Sequence, residues 1–185
     1  GTVCSSAFKQ KLLQALAFFK QSTDLHLLVQ VWAPVKNGTV MCLPFLDNPL
    51  PLTITVTDLL HLREISLMYI CAVDGNNARE LGLPDRVCLQ KVPEFTRNIL
   101  YNSSAEYPQL NHAISNVHRR VALPVFDPYT QSCISVIELV TSKKFNYADE
   151  VDKICKALEV RIFVPCFLLS QSISLVRYTL NRPYI

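Results

Sequence analysis

Two apolar runs separated by a tight turn constrain this chain most. Val121 to Phe126 is an uninterrupted apolar stretch of strand length, and Cys133 to Thr141 is β-branched and apolar with Glu138 as its single charge. Asp127-Pro128 stands between them. Asp can bond the backbone two residues on, and Pro pre-sets φ for a turn, so the two runs read as a hairpin. From Tyr147 the hydrophobic period changes. Val151, Ile154, Cys155 and Leu158 recur at i, i+3, i+4 and i+7, which defines one face of a helix. Asn146 sits at the N-cap position, and Asp149 and Glu150 lie in the first turn, where the helix dipole favours negative charge. Arg119-Arg120, ahead of the first run, reads as a solvated strand start.

Upstream the same reasoning gives further elements. Ser5 or Ser6 caps a helix to about Lys20, with Phe8, Leu12, Leu16 and Phe19 along one side. Leu27, Val29, Val31, Ala33 and Val35 alternate with Leu28, Gln30, Trp32 and Pro34, a strand with one strongly apolar face. Asn37-Gly38 is a hairpin signal, and Val40 to Leu43 is the returning strand. Pro44, Pro49 and Pro51 argue for loop over 44–62, and Ile65 to Val73 is a β-rich run. Ala78 to Gln90 reads as a short helix interrupted at Gly82-Leu83-Pro84 and restarting at Pro84. Ser103 or Ser104 caps another helix through Tyr107, Leu110 and Ile114. The sum is α+β: one mostly antiparallel sheet of about five or six strands flanked by helices.

Composition narrows the function classes. Half of the 185 residues are hydrophobic, which excludes a disordered chain. The net charge of +3 comes wholly from Arg161, Arg177 and Arg182, so residues 1–159 are neutral and carry no electrostatic footprint for a phosphate backbone. No nucleic-acid contact is expected from this segment. The seven cysteines are scattered without a Cys-x-x-Cys spacing, which points to free thiols and a reducing compartment. Neither the histidines nor the cysteines show paired metal-ligand spacing, so no metal site is expected. Spacing permits a Cys–His pair of Cys88 and His112, but the reading taken is a buried cysteine and a helix-surface histidine. No phosphate-binding glycine motif is present. The chain is therefore read as a non-enzyme with no catalytic residues and no cofactor.

Several longer stretches carry a family resemblance. Leu-Gly-Leu-Pro-Asp-Arg-Val (81–87), Ala-Leu-Pro-Val-Phe (122–126), Gln-Ser-Cys-Ile-Ser-Val-Ile-Glu-Leu (131–139) and Glu-Val-Asp-Lys-Ile-Cys-Lys-Ala-Leu-Glu (150–159) resemble the N-terminal GAF-like region of plant NIN-like proteins, the RWP-RK transcription factor family. Gln-Ala-Leu-Ala-Phe-Phe-Lys (14–20) and Gln-Val-Trp-Ala-Pro-Val-Lys-Asn-Gly (30–38) look like the same region. The chain departs from the family pattern at Asp85 and Cys88, at Phe95 and Arg97, and at His118-Arg119. Trp32 is its single tryptophan, so these residues hold no Arg-Trp-Pro motif.

The resemblance implies a GAF-like regulatory domain over residues 1–159 of a nitrate-response transcription regulator, found in nucleus and cytoplasm. The alternative is a stand-alone GAF-like module that binds a small ligand or dimerises. Arg63-Glu64-Ile65-Ser66 matches the family's phosphorylation site, with Ser66 the acceptor and Arg63 the basic determinant for a calcium-dependent protein kinase. Phosphorylation there controls nuclear retention in the family. GAF domains bind ligands beside the segment corresponding to 74–110, which makes Tyr107, Arg86, His112 and His118 the candidate pocket donors. The family's nitrate pocket belongs to a second, downstream GAF-like unit, and only Tyr107-Pro108 looks like part of it. Self-association, or pairing with that downstream unit, is the other partner implied. Residues 160–185 form an apolar tail outside the resemblance and of doubtful native status, since Val160-Arg161 can be spelled by a common splice-donor sequence. Its uncharged run, Ile162 to Leu175, is shorter than the about 20 residues a membrane span needs.

Overall fold

A computed structural model of the chain describes residues 6–24, 27–34, 40–42, 82–96, 119–127, 129–141 and 146–162. The elements in order are helix α1 (Ser6–Gln21), strands β1 (Leu28–Pro34) and β2 (Val40–Cys42), helix α2 (Leu83–Gln90), strands β3 (Glu94–Thr96), β4 (Arg119–Phe126) and β5 (Cys133–Thr141), and helix α3 (Tyr147–Ile162). The described strands form one antiparallel sheet in the order β2-β1-β5-β4-β3. The 4–5 hairpin therefore lies at the centre, and β1, more than a hundred residues upstream in places, docks on its free side. The turn at Asn37-Gly38, the run 65–73 and the helix capped at Ser103 or Ser104 lie outside the described residues.

Local chemistry sets the element ends. Asp127 Oδ1 accepts the backbone N–H of Tyr129 at 2.9 Å and of Thr130 at 2.8 Å, which closes the central hairpin. These two backbone bonds, that of Thr130 foremost, hold the Asp127 carboxyl below its ordinary value of 3.8. Asn146 caps α3: its Oδ1 accepts the N–H of Ala148 at 3.1 Å, and its Nδ2 donates to Asp149 at 2.8 Å. Helix α2 begins with Pro84 in its first turn, where a missing N–H does no harm. It ends at Lys91, which takes the left-handed conformation at φ 59° and returns its N–H to the Val87 carbonyl at 2.9 Å.

The larger core lies on one face of the sheet. Leu12, Ala15, Leu16 and Phe19 of α1 and Val151, Ile154, Cys155 and Leu158 of α3 pack together over Val29, Val31, Val121, Leu123, Ile137 and Leu139. The helical periodicities read from the sequence name most of the apolar residues that both helices bury; Ala15 and Ala157 are added, and Phe8 is only partly buried. Each large aliphatic buried here contributes about 1.5–3 kcal/mol against leaving it in water. Burial likewise pushes the Cys155 thiol up to about 12, with Asp152 and Glu159 adding to the effect.

Burial in the strands extends beyond one strongly apolar face. Leu28, Gln30 and Trp32 of β1 are as buried as the residues they alternate with. Arg120, read as part of a solvated strand start, is 2% exposed. The sheet is covered on both sides, and on the second side Leu83 and Val87 of α2 pack with Trp32, Ala122 and Val136.

Candidate functional site: the second face of the sheet

The second face holds a cluster of buried polar side chains. Antiparallel register sets Gln30 opposite Glu138, Trp32 opposite Val136, and Ala122 opposite Glu138 on the other side. Arg120 is thus the diagonal neighbour of Glu138, within reach of a long side chain. The Glu138 carboxylate gathers three donors. Trp32 Nε1 donates to Oε2 at 2.7 Å, Gln30 Nε2 donates to the same oxygen at 3.2 Å, and Arg120 Nε donates to Oε1. Glu138 is 1% exposed, Gln30 1% and Trp32 0%. A charge so far from water persists only when it is paired and its lone pairs are occupied. The cluster ties β1, β5 and β4 together through one carboxylate. Its chemistry is architectural, because the oxygens of Glu138 are already engaged by residues of the sheet.

Arg86, the one expected pocket donor among the described residues, is held at the rim. It grips Glu94 of β3 in a fork, Nε to Oε2 at 3.1 Å and Nη2 to Oε1 at 2.6 Å. An anion recruited to Arg86 has to compete with that carboxylate. Tyr107, His112 and His118, and the kinase-motif residues Arg63 and Ser66, lie outside the described residues. Cys88, on α2, meets Cys133 of β5: its Sγ stands 3.9 Å from the Cys133 carbonyl oxygen. Among the described residues, no group of three or more His, Cys, Asp or Glu is arranged to hold a metal ion. Nor is any described helix long and apolar enough to cross a membrane.

The cluster around Glu138 could have been found from sequence by one signal. Glu138 is a lone charge inside an apolar strand, and a buried charge of this kind comes paired. Gln30 and Trp32 carry no such mark, because they alternate with the strongly apolar residues of β1.

Fold and site together define an α+β domain: an antiparallel sheet with a helical pair on one face and, on the other, a short helix over a buried polar cluster. No family model matches the chain. Individual proteins do. Protein NLP3 of Oryza sativa subsp. japonica is 61% identical over 161 residues, 86% of this chain and 17% of that protein. Protein NLP7 of Arabidopsis thaliana is 50% identical over 153 residues, 82% of this chain and 16% of that protein. Protein NLP6 of Arabidopsis thaliana is 49% identical over 156 residues, 83% of this chain and 18% of that protein. The chain belongs to the plant NIN-like protein family, and it spans about a sixth of the length of these relatives.

Proposed function

We propose that this chain is the N-terminal GAF-like regulatory domain of a NIN-like transcription regulator of the nitrate response. The observation that carries this reading is the 61% identity to rice NLP3, maintained over 86% of the chain but only 17% of the relative. A domain whose residues 1–159 carry no net charge serves regulation better than direct contact with DNA. The regulatory input enters at Ser66, with Arg63 three residues ahead to engage the acidic substrate cleft of a calcium-dependent kinase. A phosphate adds about −1.5 to −2 of charge at neutral pH, enough to create or block a docking contact with another part of the protein. Control of nuclear retention is the output.

The test is direct. The chain is incubated with a calcium-dependent protein kinase, calcium and ATP, and the phosphate is mapped by mass spectrometry. Calcium-dependent label on Ser66, lost in Ser66→Ala and weakened in Arg63→Ala, supports the reading. Efficient labelling elsewhere with Ser66 untouched removes the proposed input.

A further inference from the structure

The second face also holds two thiols from segments far apart in sequence. Cys88 is on α2 and Cys133 begins β5, and both are half-buried against Trp32, Leu83, Val87, Ala122 and Val136. Simple alternation along β5 would put Cys133 on the same side as Ser135 and Ile137, against α1 and α3. A bulge prevents this. Val125 pairs with Ser135 but Phe126 pairs with Cys133, so Ile134 is the extra residue. Ile134 packs with the larger core, and Cys133 turns to the side that α2 covers.

This brings the two cysteines together. Cys88 Sγ lies 3.9 Å from the carbonyl oxygen of Cys133, and Cys133 Sγ donates to the Ser135 carbonyl at 3.3 Å. The neighbouring Cys133 side chain holds Cys88 below the ordinary thiol value of 9.0, against burial and Asp85, and Lys91 helps. The same contact, with burial, pushes Cys133 up. Of the two, Cys88 is thus the more acidic thiol. Cys155, 1% exposed within the larger core, has no such neighbour role and serves as an internal control.

We propose that Cys88 and Cys133 form a peroxide-responsive thiol pair that closes into a disulfide between α2 and β5. The Cys88 thiolate attacks one oxygen of hydrogen peroxide and the O–O bond breaks. Cys88 becomes a sulfenic acid, and the departing hydroxide takes up a proton to leave as water. This removes the thiolate charge beside Cys133. The Cys133 sulfur then attacks the Cys88 sulfur, the S–O bond breaks, and a second water leaves with the Cys133 proton. In sum, two thiols and one peroxide give one disulfide and two waters. The sulfurs lose two electrons and the peroxide gains them. The bond fixes α2, otherwise seated on the sheet through Leu83 and Val87, to the central strand, and a dithiol reverses it.

The full chain, folded and reduced, is treated with hydrogen peroxide, quenched, denatured, alkylated with iodoacetamide and digested without reductant. The expected product is a peptide pair joined through Cys88 and Cys133, two hydrogens lighter than its separate parts and dissolved by dithiothreitol. Cys155 is recovered alkylated. In Cys133→Ser, which keeps Cys88, peroxide gives a sulfenic acid that dimedone traps at Cys88. Recovery of both Cys88 and Cys133 as alkylated thiols overturns the proposal. So does a Cys88 joined to another cysteine in the same yield, or dimedone adducts in Cys133→Ser no more frequent at Cys88 than at Cys155.

Discussion

Arg120 and Glu138 meet diagonally across the central hairpin, 2% and 1% exposed, and the side chains of Trp32 and Gln30 close on the same carboxylate from the neighbouring strand. This pair fixes the lateral position of three strands. Removing one partner strands the other charge away from water. Glu138→Gln is therefore expected to destabilise the fold by about 3–5 kcal/mol. Replacing both, Arg120→Met with Glu138→Leu, is expected to recover most of that loss, since two apolar chains of similar size need no desolvated charge. Urea unfolding followed by the emission of Trp32, the single tryptophan, reads both. A single-variant loss under about 1 kcal/mol would show that the pair is solvated in solution.

The hairpin turn responds to acid through Asp127. Its folded carboxyl lies below 3.8 because the Thr130 and Tyr129 amides favour the charged form. A depressed folded value contributes stability that is present above the ordinary carboxylate range and is lost as pH falls through the folded value. Asp127→Asn keeps an Oδ1 acceptor for both amides but has no proton to gain. The stability difference between the native chain and Asp127→Asn is expected to be constant above about pH 5 and to shrink steadily below 3.8. A gap that does not change between about pH 5 and pH 2 would remove the titration from Asp127.

The entry to α3 rests on Asn146, which accepts from Ala148 and donates to Asp149. Asn146→Ala is expected to lower stability by about 1 kcal/mol. Asn146→Asp, a good cap on many helices, is expected to fall between the two here, because it faces the Asp149 carboxylate without the amide donor that now reaches it. Thermal unfolding of the three proteins at neutral pH gives the order, and an Asp variant as stable as the native chain contradicts it.

What could be read from sequence divides along the range of the interaction. The 3.6-residue spacing of Leu12, Leu16 and Phe19 and of Val151, Ile154, Cys155 and Leu158 names the large apolar residues that α1 and α3 bury, and leaves out Ala15 and Ala157. Asp127 and Asn146 act on backbone two or three residues away, so their roles follow from residue type and position. Glu138 is different. Its partner Gln30 is 108 residues distant, and it meets Gln30 only because β1 docks on the far side of β5. Strand order is set by the whole topology, and no local pattern records it. The same holds for Cys88, whose neighbour is Cys133 on the face that α2 covers, brought there by one extra residue in β5.

The measurement that tests the regulatory reading most directly is a domain replacement. Residues 1–159 are substituted for the matching segment of rice NLP3, and a nitrate-response promoter is scored in plant cells with and without nitrate, beside the unaltered rice protein. The account predicts that the hybrid accumulates in the nucleus and drives the promoter only with nitrate, and that Ser66→Ala in the hybrid abolishes both. A stable hybrid that drives the promoter equally without nitrate, or one that Ser66→Ala leaves fully responsive, would contradict it.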